Sequence, residues 1–205
     1  MSRYPYKNTF TAAAAATTGH ASNVTGAVWA IATPSALDGI AHFVTIHNDA
    51  ATDHSAKTIV LVGTDANGNP VTETLAAPAG TATVTSAKAY RSLTSATPSA
   101  TIGADTFDIG WAATGHTPWV DLDPSLLPFG ASAAVFLVSG SLNFDVQHCY
   151  DNPPTEDSVS FKISALTGKT ASTDGSYTAP VNAVRVNINS HTSAVFTFLA
   201  LQGGH

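Results

Sequence analysis

Eight histidines, at positions 20, 42, 47, 54, 116, 148, 191 and 205, and one cysteine, Cys149, are the side chains of this sequence with the widest chemical reach. No two histidines have the HExxH spacing and none stands beside a cysteine cluster, so the usual zinc patterns are missing. His42 and His47 are five residues apart, which puts them on opposite faces of a continuous strand. His47, Asp49, Asp53 and His54 gather around one loop. Their atoms suit a cation in type, but with no defined ligand geometry they read as a solvated polar turn. The expectation is a chain without metal or other cofactor.

Covalent and acid–base chemistry fares no better. There is no Gly-x-Ser-x-Gly elbow, and Cys149 follows His148 directly on a predicted strand, where neighbouring side chains point apart and cannot form a dyad. Cys149 reads as a packed thiol. Asp121 with Asp123, and Glu156 with Asp157, are carboxylate pairs of the kind glycoside hydrolysis uses. They sit in proline-rich stretches where acids commonly cap turns. Asp65-Ala66-Asn67-Gly68-Asn69 lacks the downstream glutamate and flanking helices of a calcium loop. Trp29, Trp111 and Trp119 would stack on sugars if exposed together, but each lies in or beside an apolar strand and reads as core. Nothing arranges a base, a nucleophile and an electrophilic stabiliser together, so the sequence predicts no enzyme.

The elements that would position these residues are strands. Segments rich in Val, Ile, Thr and Phe alternate with Gly, Pro, Asn and Asp, and long amphipathic helix patterns are nearly absent. The clearest unit is residues 57–64, a turn at 65–69 and residues 70–75, a β-hairpin turning at Asn67-Gly68. Pro70 cannot donate to a ladder and marks the start of its strand. Residues 26–31, 42–47, 82–85, 89–94 and 106–111 supply further strands, with Val44 and Ile46 facing a core. Residues 114–124 break the rhythm with Gly and Pro. Beyond them, residues 134–138, 141–146, 158–163, 183–188 and 194–199 form a second group, in which Val184, Val186 and Ile188 face one way and Arg185 and Asn187 the other. Residues 151–157 must be a loop. The predicted fold is all-β: an antiparallel β-sandwich or jelly-roll-like architecture, with β-domains over 23–115 and 116–205 in tandem behind an extended N-terminal arm over 1–22.

The composition agrees. Only 11% of the 205 residues are charged, against 44% hydrophobic, so the chain can bury a core, while a surface poor in charge suits faces covered by neighbours. The net charge is −6 and no stretch concentrates basic residues, which argues against direct nucleic-acid binding. No run approaches the length of a membrane helix, and the small-residue stretch 12–16 is too weakly apolar for an export signal. Synthesis in a cytoplasm is expected. The arm carries Tyr4, Tyr6 and Phe10 ahead of a small Ala/Thr stretch, a composition suited to anchoring by aromatic contacts on another subunit.

The run 58–75, with Gly63-Thr64-Asp65 and Asn67-Gly68 leading into Val71-Thr72-Glu73-Thr74-Leu75, and the closing runs 180–190 and 194–204 resemble virion structural proteins of tailed bacteriophages. The resemblance implies a multi-copy, non-enzymatic virion component whose partners are the major capsid protein or other virion proteins and copies of itself. Within that class it points to a capsid decoration, or cement, protein, with a tail, fibre or head–tail connector subunit as the alternative. A carbohydrate-binding or adhesin module on the same fold is the competing class.

Overall fold

The computed structural model describes residues 5–203 as an all-β chain with antiparallel ladders. The strands are β1 (Tyr6–Thr11), β2 (Ala16–Val24), β3 (Ala41–Asn48), β4 (Thr58–Thr64), β5 (Pro70–Ala76), β6 (Thr83–Tyr90) and β7 (Ser92–Pro98). They continue with β8 (Phe107–His116), β9 (Val120–Asp121), β10 (Gly130–Cys149), β11 (Phe161–Lys162), β12 (Thr173–Tyr177) and β13 (Ala183–Gly203). The chain divides into two compact units. One is Ala15–Gly115, and in the other the N-terminal stretch up to Ala14 joins the chain from His116 onward.

In the unit of residues 15–115, β2, β8, β3 and β6 lie side by side, and β5, β4 and β7 form a second sheet. Val44 and Ile46 of β3 and Phe107 and Ile109 of β8 share one core with Ile59, Leu61, Val71, Leu75 and Leu93 of the other sheet. Two sheets joined by their inward rows are consistent with a β-sandwich. Each large buried side chain stabilises the fold by about 1.5–3 kcal/mol relative to exposure. The hairpin pairs Thr58 with Ala76 through to Thr64 with Pro70. Asp65 Oδ1 accepts the amides of Asn67 and Asn69 at 2.9 and 2.8 Å, and Gly68 has φ +91°. Residues 26–31, expected as a strand, contribute only an isolated bridge from Trp29 to Ala96. Gly26, at φ +77°, turns the chain there.

The other unit is built on β10 and β13, which pair along nearly their whole lengths with register shifts near Ser139 and Asn143. β1 and β9 flank β13, and β11 and β12 flank β10. Four expected strands are therefore two. Gly140, with φ +74°, and Ser193, with φ +46°, sit at points where the sequence suggests breaks, and the chain bulges through them instead. Of residues 158–163 only Phe161–Lys162 is strand.

The N-terminal segment departs from the expected arm. Tyr6 to Thr11 zip onto Ala200 to Val195 of β13, and Phe10, 1% exposed, stacks on Phe196 at 5.4 Å. Residues 16–24 pair with β8. Small side chains allow this. A Cβ on Gly110 would lie 1.9 Å from the Ala16 carbonyl oxygen, so two backbones approach closely where neither residue needs room. Tyr4 lies outside the described residues.

Candidate functional site

The face of β13 that carries Arg185 and Asn187 holds a cluster of polar side chains. Register places Gln147 opposite Arg185 and Asp145 opposite Asn187. Arg185 donates from Nε to Gln147 Oε1 at 2.8 Å and from Nη1 to Glu156 Oε2 at 3.1 Å, with its guanidinium carbon 4.3 Å from the Trp119 ring centre. The second oxygen of Glu156 lies 3.4 Å from His116 Nε2. Beside them Asp145 accepts from Lys162 Nζ at 2.5 Å and from the Gly168 amide at 2.6 Å. Burial pushes the pKa of His116 down, against the raising effect of Glu156. Asp145 is held below the usual carboxylate range because Lys162, the Gly168 amide and Asn189 outweigh the opposing effect of its burial.

A buried His–Glu–Arg set has the residue types of acid–base chemistry. Its geometry serves packing: both Glu156 oxygens are engaged from within the cluster, and all three side chains are buried. It fastens the loop of residues 151–160 onto the sheet. Arg185 and Asn187 do face away from Val184, Val186 and Ile188, but Trp119 and Glu156 cover Arg185. Sequence reasoning placed Glu156 in a loop and Arg185 on a strand, and no local signal joined them.

His148 and Cys149 diverge as strand geometry requires. His148 stands among Phe161, Tyr150 and Tyr177, at ring separations of 5.8, 5.6 and 5.3 Å, while Cys149 packs with Trp119 and Ala183. Burial lowers the His148 pKa, raises the Cys149 thiol, and pushes Tyr177 up to about 12. Tyr150 and Phe161 are the exposed members of this cluster.

The other sequence candidates scatter. His47 Nε2 is 3.8 Å from Asp49, but His54 bonds Asp105 at 2.8 Å and Asp53 caps the Ser55 amide. No group of three or more His, Cys, Asp or Glu suited to a metal forms among the described residues. Asp123 bonds both the amide and the hydroxyl of Ser125. Trp29 and Trp119 are buried and Trp111 is half-buried, so the three form no shared platform. Tyr6 and Phe10 belong to the inner row of β1, with Tyr6 edge-on to Phe198 at 5.8 Å.

The opposite face of β1, β13, β10 and β12 exposes several large apolar side chains. Phe136 is 49% exposed, Val138 64% and Leu201 40%. A depression of about 420 Å³ lies between Lys7, Phe136, Thr197 and Leu199. Thr9 and Thr197 bridge hydroxyl to hydroxyl at 2.8 Å beside it. No family model matches the sequence, and no curated protein or solved structure matches the chain.

Proposed function

We propose that this chain is a non-enzymatic structural protein of a bacteriophage virion, working by protein–protein packing as a capsid decoration protein that stabilises the head. The observation that carries the reading is the open sheet face with Phe136, Val138 and Leu201. Exposed apolar side chains sharing one sheet face are what a packing surface presents, and Thr9, Thr197 and Ser132 among them are uncharged. The finer architecture in this proposal is two β-sandwich or jelly-roll-like domains; the boundary at Gly115 and His116 supports it, with the N-terminal stretch up to Ala14 joining the second domain instead of preceding the first as an arm. Partners are the major capsid protein or other virion proteins, and the place of action is the virion. With the N-terminal segment folded into strands, the sheet face takes over the docking role first given to an arm. A tail, fibre or connector subunit would use the same face. Electron microscopy of phage particles labelled with antibody to this chain tests the proposal. Label on heads supports decoration, label on tails moves the protein to the alternative, and unlabelled particles overturn a virion role.

A carbohydrate-binding role draws on one separate observation, the exposed Tyr150 and Phe161 rings 5.4 Å apart, because exposed aromatic faces stack on sugar rings. Glycan-array binding lost on Tyr150→Ala would establish it. A blank array with the wild-type chain rejects it.

A further inference from the structure

Across the open face of the second unit, strand register aligns four residues in one row. Lys7 of β1 pairs with Leu199 of β13, Leu199 with Ala134 of β10, and Ala134 with Asp174 of β12. At a strand spacing of about 4.8 Å, Lys7 and Asp174 stand roughly 14 Å apart. Both are exposed, and neither pairs with an opposite charge among the described residues. A cation therefore closes one side of the face and an anion the other, with uncharged side chains between.

We infer that this face is the self-association surface of the protein, and that it takes a second copy of the same chain stacked face to face about a two-fold axis parallel to β10 and β13. The argument is one of symmetry. Rotation about an axis along the strands, passing between β13 and β10, lays β1 of one copy over β12 of the other. Lys7 then meets the partner's Asp174, and Asp174 meets the partner's Lys7. Rotation about an axis along the row would set Lys7 against the partner's Lys7, a like-charge contact that disfavours the arrangement. An isologous contact of the first kind needs no other molecule to complete it.

The apolar relief fits the same axis. Phe136 pairs with Thr197 in the next row, so the rotation carries the partner's Phe136 over Thr197. The depression of about 420 Å³ lined by Lys7, Phe136, Thr197 and Leu199 lies there. Each copy thus offers one ring and one hollow to the other, at the separation of about 10 Å usual for stacked sheets. This inference deepens the proposed function, on which it rests for the idea of self-packing, and it can fail independently of it.

The test uses the full chain and measures its mass by light scattering or sedimentation at micromolar concentrations. Wild type is expected to be dimeric. Phe136→Asp removes the dimer, and Lys7→Glu and Asp174→Lys each weaken self-association about tenfold or more through like-charge contacts. Mixing K7E with D174K restores it, because in the mixed dimer Glu faces Lys at one contact and Asp faces Lys at the other. Unchanged thermal melting of the three variants shows that the fold is intact; if Phe136→Asp alone fails to fold, the two charge variants and their mixture decide the matter. A monomeric wild type, a K7E chain that dimerises as well as wild type, or a mixture that stays monomeric overturns the inference. Binding to capsid shells is read separately. A monomer that binds shells refutes this face and leaves the proposed function standing, and a dimer that binds none does the reverse.

Discussion

Arg185 sits over Trp119, its guanidinium carbon 4.3 Å from the ring centre, and its side chain is only 5% exposed. Trp119 is placed there because β9 pairs with β13, Val120 opposite Val184, and the loop after β10 brings Glu156 to the same head group. A charge so placed is tolerable only with its partners in position. The strand and the loop covering it accordingly stand or fall together.

Arg185→Ala leaves the Glu156 carboxylate buried without its main counter-charge. The expected loss is about 3–5 kcal/mol, read from the shift in the urea midpoint. Trp119→Ala costs a similar amount, and the double variant costs less than the sum because the two side chains share one contact. A loss below about 1 kcal/mol for Arg185→Ala, the size of an exposed ion pair, would refute the buried arrangement.

Deleting residues 2–22 removes β1 and most of β2. The remaining chain should lose cooperative melting, whereas a free arm could be cut without that effect. Phe10→Ala is the gentler version, expected to cost about 3–5 kcal/mol for truncating a buried aromatic ring. A truncated chain that melts like wild type would restore the arm.

Gly110→Ala and Gly63→Ala place a Cβ 1.9 and 2.1 Å from the carbonyl oxygens of Ala16 and Ser92. Backbone atoms cannot swing aside as side chains do, so both variants should lower the melting temperature more than Gly68→Ala. At Gly68 nothing lies within 4 Å and the penalty comes from φ +91° alone, of order 1 kcal/mol. Equal effects at the three positions would show that crowding is not the cause.

Stability should fall as pH drops below about 6.5, the ordinary histidine value. His20, His116 and His148 all have lowered pKa values, in each case chiefly from burial. Between that ordinary value and the lowered native ones the unfolded chain binds more protons, so stability rises with pH through the window and is complete above it. The Asp145 contribution has the same direction but a lower range, being present above the ordinary carboxylate value near 3.9 and lost beneath it. Melting curves at pH 8, 6.5 and 5.5 measure the histidine part, and a flat melting temperature across them would contradict it.

Local pattern alone determined the strand class, the hairpin at 58–76 and its turn, the inward rows of Val44 with Ile46 and of Val184 with Val186 and Ile188, and the divergence of His148 from Cys149. These depend on period-two alternation and on residues such as Gly68 and Pro70, whose backbone limits act within a few positions. Tertiary structure decided the rest. It continued β10 and β13 through bulges at Gly140 and Ser193, where the residues equally permit a turn. It drew Tyr6 and Phe10 onto Phe198 and Phe196, nearly the whole chain away, a pairing fixed by ladder register that no short segment encodes. It covered Arg185 with Trp119 and Glu156 and left Phe136 open, because alternation says which side a residue faces but not what lies on that side.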